Sequence, residues 1–138
     1  MNAVTREVLT ITNDRYINSQ SVCQLLLKIA EAVGHGAITL VLDNARYQKC
    51  KLVQHYAEIL GIELLFLPAY SPNLNLIERF WKFVKKDCLY SKYYKGFHEF
   101  KAAISTCIKN AHHKNTEELE SLLSWNFQLF SKTEISTV

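Results

Sequence analysis

Two carboxylates of this 138-residue sequence, Asp43 and Glu78, lie at positions suited to binding a metal ion. Asp43 directly follows the apolar stretch Ala37–Leu42, and Glu78 follows a second apolar stretch, Ile62–Leu67, and a short loop. Mg²⁺ takes hard oxygen ligands and commonly uses one or two carboxylates, which leaves positions for water and phosphate oxygens. Paired metal ions stabilise the attacking and leaving oxygens of an in-line phosphoryl displacement. The two acids therefore indicate phosphoryl-transfer chemistry.

Each carboxylate also has a purely structural explanation. Asp43 or its neighbour Asn44 could cap the next helix or close a turn. Asn75 and Glu78 have the spacing of an N-cap and an N3 residue, so Glu78 could close a capping box. Taken singly, neither position establishes a catalytic role.

Positive charge is concentrated around these acids. The net charge is +3, but residues 43–95 carry nine basic and five acidic side chains, whereas the rest carries seven and eight. Lys82 follows Glu78 at i+4, and Lys85 and Lys86 follow it at i+7 and i+8, on roughly the same helix face. A carboxylate with lysines along one face suits metal ligation beside a phosphate backbone. A solvated basic face would have the same composition.

Apolar stretches that favour strands alternate along the chain with helical patterns. The predicted strands are Glu7–Thr12, Ala37–Leu42 and Ile62–Leu67, and the predicted helices run from Asn18 or Ser19 to Gly34, Lys49 to Leu60, Asn75 to Lys86, Phe97 to Ala111 and Glu117 to Leu123. This alternation implies right-handed crossovers and at least one parallel strand pair. The continuous apolar runs predict strands that are covered on both faces. Reactive groups in such sheets gather at the carboxyl ends of the strands.

Composition narrows the class of protein further. No apolar run approaches the roughly 18 residues that a membrane span needs. The first ten residues lack the apolar core of a signal peptide. The four cysteines are widely spaced, with no zinc-ligand pattern, and free thiols suit a reducing compartment. We therefore expect a soluble, cytoplasmic α/β protein without a disulfide framework, a zinc module or a membrane partner.

Two segments resemble a known family. LVLDNARYQ and LLFLPAYSPNLNLIERFWKFVKK are similar to the second half of the catalytic domain of insertion-sequence transposases related to the Tc/mariner group. These are DDE superfamily endonucleases with an RNase H-like fold. Their second acid ends a strand inside an LDNA motif, and their third lies in a Y-S-P-x-L-N-x-I-E motif about 34 residues later. Here 34 residues separate Asp43 from Glu78, and the resemblance covers roughly residues 5–130.

The resemblance implies roles for individual residues. Asp43 and Glu78 become the second and third catalytic acids, each a ligand of Mg²⁺ or Mn²⁺, and Trp81 is expected in the core. Two positions depart from the family pattern, because many relatives have His at Gln48 and Pro at Leu76. The site-supporting residues are Asn44, Tyr70, Ser71, Pro72, Asn73 and Asn75, and those expected to face DNA are Arg46, Lys49, Arg79, Lys82, Lys85 and Lys86.

Compared with the family pattern, the sequence lacks a residue in the position of the first catalytic acid. The family's first acid lies on the opening strand, many tens of residues before the second, whereas the acids that precede Asp43 here are Glu7 and Asp14, near the start of the sequence, and Glu31, inside the first predicted helix. We therefore expect an RNase H-like three-layer fold, incomplete at the N-terminus, with C-terminal helices. Residues 1–130 would be the C-terminal portion of a DDE transposase catalytic domain and residues 131–138 a tail. The strand before Asp43 would then have an open edge.

The resemblance implies metal-dependent DNA strand cleavage and transfer, with transposon ends and target DNA as partners, at the nucleoid in the cytoplasm. Without the first acid, this activity would need self-association or pairing with an N-terminal transposase part. The alternative is a catalytically inactive remnant that binds DNA or pairs with intact transposase. Another RNase H-like nuclease, such as a resolvase or integrase relative, is disfavoured by the string PAYSPNLNLIE.

Overall fold

The first helix begins and ends where the sequence predicts. In the computed structural model, which describes residues 1–68, 75–114 and 116–124, helix α1 spans Ser19–Val33. The Asn18 side-chain oxygen accepts a hydrogen bond from the Ser21 backbone N–H at 3.0 Å, which satisfies one of the free donors of the first turn. Gly34 ends the helix with φ +70°, a conformation that glycine adopts at low cost.

The next three elements form a parallel crossover unit. Strand β1 (Ile38–Leu42) leads into helix α2 (Lys51–Ile59), which returns to strand β2 (Ile62–Phe66). The strands pair in parallel, from Ile38 opposite Ile62 to Leu42 opposite Phe66. The Leu67 N–H donates to the Leu42 carbonyl at 2.8 Å and continues the pairing to the carboxyl edge. The predicted parallel pair is therefore confirmed.

The two strands are covered on one face in the described part of the chain. Val22, Leu26, Val53, Ala57 and Ile62 form a buried cluster, against which Ile38, Leu40 and Leu64 pack. The alternate residues point away from this cluster, and Val41 and Leu65 are 42 % and 52 % exposed. The prediction of strands covered on both faces was wrong for these residues, because α1 and α2 contact each other and share that one cluster.

The predicted strand Glu7–Thr12 was also wrong. These residues have no strand pairing, and the described sheet contains β1 and β2 only. The Thr10 carbonyl instead accepts a hydrogen bond from the Lys28 ammonium at 2.8 Å. β-branched residues favour a strand only where a neighbouring strand accepts their backbone hydrogen bonds.

Three helices with a common apolar core follow. They are α3 (Leu76–Cys88), α4 (Phe97–Lys114) and α5 (Thr116–Leu122), and each contacts the other two. Their buried side chains are Leu76, Phe80, Phe83, Val84, Cys88, Cys107, Ala111, Leu119 and Leu123. The spacing of three and four residues within α3 is the helical stripe that packs against neighbours. Trp81 lies beside this stripe and is 41 % exposed, so its expected place in the core was wrong.

Two buried thiols lie where α3 meets α4. The Cys88 thiol donates to the Val84 carbonyl at 3.1 Å, and the Cys107 thiol donates to the Asp87 carboxylate at 3.4 Å. Burial, together with the hydrogen bond to Asp87, raises the pKa of Cys107 to about 12. Since the thiolate is the nucleophile, Cys107 is chemically inert at neutral pH, and all four cysteines are free.

The chain divides into two compact units, Met1–Asn75 and Leu76–Val138. The described elements are a two-stranded parallel sheet and five helices, which confirms the mixed α/β class. Within the described residues, no helix combines the length and the apolar composition that crossing a membrane requires. The predicted boundary between residues 130 and 131 lies outside the described residues.

Candidate functional site

Asp43 lies at the carboxyl edge of the sheet. It is the first residue after β1, and its side chain is exposed. Within the described residues, no hydrogen bond or ion pair engages its carboxylate. Polar groups at this edge of a parallel sheet are positioned by two strands at once. The strand pairing therefore positions the backbone at Asp43, and the exposed carboxylate is available to a ligand.

Asn44 joins the ends of the two strands. Its side-chain amide donates a hydrogen bond to the carbonyl of Leu67, the residue that follows β2. This bond links the backbone beside Asp43 to the neighbouring strand end, 23 residues further along the chain. Asn44 was expected to lie beside the site. In the structure its hydrogen bond to Leu67 connects the backbone that follows Asp43 to the end of β2.

The structure rejects the helix-capping explanation for Asp43 and Asn44. The N-cap of α2 is Cys50, which makes no side-chain capping hydrogen bond. Between Asp43 and this helix the chain forms a turn, in which the N–H groups of Gln48 and Lys49 donate to the Ala45 carbonyl. Asp43 therefore lies too far from the helix start to cap it.

Two basic side chains, Arg46 and Lys49, lie in the loop that follows Asp43. The Lys49 ammonium lies 5.3 Å from the ring centroid of Phe66, the last residue of β2. This cation–π contact holds a positive charge at the carboxyl edge of the sheet without neutralising it. Arg46 is exposed in the same loop, and the described part of the chain provides it with no ion pair. A phosphate group would complement both charges.

Gln48 has an unusual environment in this loop. Its side-chain oxygen is buried and accepts no hydrogen bond. A buried acceptor without a partner costs free energy, and native proteins keep few of them. The position is one of the two at which the sequence departs from the family pattern.

Glu78 lies in the first turn of α3 and is half-buried. No hydrogen bond or ion pair engages its carboxylate within the described residues, so the capping-box explanation gains no support. The preceding Asn75 is half-buried and has other interactions of its own. Four other predicted site-supporting residues, Tyr70, Ser71, Pro72 and Asn73, lie outside the described residues.

The basic residues of α3 differ in how they are engaged. Arg79 donates to the Ser124 carbonyl at 3.1 Å, and the Lys86 ammonium forms a 2.8 Å ion pair with Glu118. The hydrogen bond and the charge of Glu118 raise the pKa of Lys86. Lys82 is exposed and Lys85 half-buried, and neither has an ion pair with a described residue. Lys82 and Lys85 are thus the α3 cations most available to an anionic ligand.

The donor atoms suit a hard divalent cation. Asp43 in the first unit and Glu78 in the second each present carboxylate oxygens that no protein cation neutralises in the described part of the chain. Oxygen ligands of this kind fit Mg²⁺ or Mn²⁺. No group of three His, Cys, Asp or Glu side chains that could hold a metal occurs among the described residues. Upstream, Glu7 and Asp14 both lie outside any strand.

The sequence analysis missed a surface formed by aromatic residues. Tyr90, Tyr93 and Phe97 are 61 %, 88 % and 56 % exposed, between α3 and the start of α4. The available signal was the string SKYYKGF, in which aromatic and basic residues are interleaved.

Comparisons with known proteins complete the description of the site. A family model described as DDE superfamily endonuclease matches residues 1–101, which include both carboxylates. The uncharacterized protein y4pE/y4sA of Sinorhizobium fredii is 30 % identical over 86 residues, an alignment that covers 59 % of each chain. The chain thus matches less than two thirds of the length of this curated relative. No solved structure matches the chain.

Proposed function

Since this chain belongs to the DDE superfamily endonucleases, we propose that it acts in DNA transposition and supplies two metal-binding carboxylates for strand cleavage and transfer. Asp43 is the second acid of the catalytic set and Glu78 the third. The supporting observation is that both carboxylates lie within residues 1–101, which the family model matches, and have no hydrogen-bond or ion-pair partner among the described residues. The helix cap that would have explained Asp43 without catalysis belongs to Cys50.

The residues around the acids have distinct roles in this proposal. When bound, a divalent metal activates water and stabilises the attacking and leaving oxygens at phosphorus. Asp43 and Glu78 hold that ion, and Asn44 fixes the backbone beside Asp43 through its bond to Leu67. Lys49 and Arg46 contact phosphates beside Asp43, while Lys82 and Lys85 contact them along α3. Arg79 and Lys86 contribute less, because Ser124 and Glu118 already engage them.

The proposal also assigns the chain to one branch of the family. The LDNA and PNLNLIE strings and their spacing support the insertion-sequence branch related to Tc/mariner elements. The parallel pair β1 and β2, with a helical crossover, is compatible with two adjacent strands of an RNase H-like sheet. A protein of this function acts on DNA, so we place it at the nucleoid in the cytoplasm.

The proposal needs a first acid on a strand, and none of the three acids that precede Asp43, which are Glu7, Asp14 and Glu31, lies on one. Among the described residues, the outer edges of the two-stranded sheet are unpaired, which supports pairing with a further strand, and the exposed side chains of Val41 and Leu65 support coverage of that face by a further element. We place the first acid on such a strand, in an N-terminal transposase part that joins this one.

An excision assay tests the function. The DNA that encodes the chain, with its flanking sequence, is carried on a plasmid, and excision is scored by amplification across the donor site. One arm expresses the chain alone, and the other adds the polypeptide encoded upstream. We expect excision only in the second arm, and a loss of at least about 100-fold on Asp43→Asn or Glu78→Gln, since each removes a metal ligand. Glu63→Gln, which changes an exposed carboxylate on β2, serves as the matched control.

A second function, as an inactive DNA-binding remnant, is favoured by the exposed cations Arg46, Lys49 and Lys82, which can contact phosphates without a bound metal. It predicts salt-dependent DNA binding and no excision in either arm. Excision that survives both Asp43→Asn and Glu78→Gln would instead refute the roles assigned to these acids.

A further inference from the structure

A groove in the helical unit lies away from both carboxylates in the sequence and has no role in the proposed cleavage chemistry. It is formed by the connection between α3 and α4 and by the first turn of α4. Its volume is about 410 Å³, within the range of about 300–1,000 Å³ that is usual for small-ligand sites. Its lining includes Leu89, Lys92, Tyr93, Tyr94, Phe97 and Phe100. All of these residues are described, and all belong to one unit.

Two of the aromatic rings form a fixed floor. Tyr94 and Phe100 are half-buried and meet edge to face, with 6.0 Å between their centroids. The Tyr94 hydroxyl donates to the Cys88 carbonyl at the end of α3, which fixes the ring against that helix. Edge-to-face pairs of this kind contribute beyond their buried area. The floor is therefore ordered before any ligand binds.

The other two rings are exposed to solvent. Phe97 lies 6.3 Å from Phe100 between centroids but remains 56 % exposed, and Tyr93 is 88 % exposed. Burying such rings would be favourable by about 25 cal/mol for each Å² of apolar area. Exposed aromatic groups beside a groove are typical of a ligand-binding surface.

The charge beside the rings is positive and is not neutralised. The Lys92 ammonium donates to the backbone carbonyl of Asp87 at 2.6 Å, which orients the group but leaves its full charge. Lys95 is exposed, and no described carboxylate forms an ion pair with its ammonium. Glu99 uses its carboxylate to accept the Lys95 backbone N–H. The groove lining thus combines aromatic rings with the Lys92 cation, and Lys95 lies between two lining residues, Tyr94 and Gly96, in the chain.

We propose that this groove binds unpaired nucleotides of a DNA strand, with bases stacked on Tyr93 and Phe97 and phosphates contacted by Lys92 and Lys95. Stacking on aromatic side chains beside a basic track is how proteins bind single strands without reading their sequence. The charge favours a polyanion over a neutral peptide, and the lining contains one aliphatic side chain, Leu89, which disfavours a lipid. The inference rests on the proposed function, because it assigns a second site for the same substrate, DNA.

Binding of the 138-residue chain to a fluorescent oligothymidylate, measured by anisotropy, tests the proposal. Tyr93→Ala and Phe97→Ala should each weaken single-strand binding by about fivefold or more, since each removes a stacking ring. Tyr93→Phe keeps the ring and should retain wild-type affinity. Tyr90→Ala is the matched control, because Tyr90 is an exposed ring of the same connection outside the groove. Binding to duplex DNA should be unchanged in all four variants.

A further variant distinguishes a loss of binding from a loss of folding. A Cβ atom placed on Gly96, which also lines the groove, meets no heavy atom within 4 Å, so Gly96→Leu introduces no clash at Cβ and adds bulk at the groove lining. It should weaken single-strand binding as Tyr93→Ala does, with an unchanged circular dichroism spectrum. In addition, an oligonucleotide containing 5-iodouracil should form photocrosslinks that map to Tyr93 or Phe97.

The binding results distinguish a failure of the groove proposal from a failure of the proposed function on which it rests. Wild-type binding to duplex DNA with single-strand binding that is insensitive to Tyr93→Ala, Phe97→Ala and Gly96→Leu would overturn the groove alone. No binding to either form of DNA would overturn both. Groove variants that change the sedimentation coefficient of the chain but not its affinity for the oligonucleotide would show that a second copy occupies the groove, which also overturns the proposal.

Discussion

Asn44 shows how a single side chain connects sequence and site. Its position in the LDNA motif gave the expectation of a role beside Asp43, but the sequence could not show which atom it would contact. The structure supplies that contact, a hydrogen bond to the Leu67 carbonyl across the carboxyl edge of the sheet. Such a long-range bond depends on strand register, which local sequence patterns do not determine.

Asn44→Ala should therefore reduce function more than it reduces stability. We expect a loss of about 0.5–1.5 kcal/mol in the free energy of unfolding, the usual net contribution of one hydrogen bond, measured by urea denaturation. Excision in the two-part assay should fall about tenfold or more, because Asp43 loses its fixed position.

Gln54→Ala is the matched control for this prediction. Gln54 also donates a side-chain amide hydrogen to a backbone carbonyl, that of Lys49, at 3.0 Å, but it does not join the two strands. It should lose comparable stability and retain excision. Equal losses of excision in both variants would show that Asn44 acts on stability alone.

At the scale of elements, the sequence predicted local structure well and tertiary environment less well. Helices α1, α2 and α3 follow from their apolar spacing, and Gly34 and Gly61 mark helix ends by their positive φ. The segment Glu7–Thr12 failed as a strand because strand formation needs a partner that the segment itself does not encode. Coverage of both sheet faces failed for a related reason, since it depends on where helices pack.

The lysines of α3 give a prediction at this scale. Lys82→Gln and Lys85→Gln should each weaken binding to a short DNA duplex and lower the slope of log K against log salt by about one unit, because each removes one phosphate contact. Lys86→Gln should have a smaller effect, since Glu118 holds that ammonium at 2.8 Å. Anisotropy titrations over a range of salt concentrations measure the three slopes.

The control for the lysine prediction is Glu118→Gln. It leaves Lys86 without its ion-pair partner and should strengthen duplex binding slightly. If Lys86→Gln lowers the slope more than Lys82→Gln or Lys85→Gln does, the assignment of the DNA-facing residues on α3 must be reversed.

For the whole molecule, the motifs carried more information than the composition. The net charge of +3 and the 138-residue length are ordinary for one domain, whereas two short strings indicated a DDE superfamily endonuclease, which the family match over residues 1–101 confirms. The division of the chain into Met1–Asn75 and Leu76–Val138 could not be predicted from the sequence. Asp43 belongs to the first unit and Glu78 to the second, and neither unit contains a metal-binding group of three side chains among its described residues.

Iron-dependent backbone cleavage tests the central claim that Asp43 and Glu78 hold a divalent metal. Fe²⁺ replaces Mg²⁺, ascorbate and peroxide generate radicals at the bound ion, and the cut positions in the 138-residue chain are mapped by mass spectrometry. The account predicts cuts beside Asp43 and beside Glu78 that excess Mg²⁺ suppresses, that Asp43→Asn and Glu78→Gln diminish, and that Glu63→Gln leaves unchanged. Cuts confined to other segments, or a pattern unaffected by the first two substitutions, would contradict it.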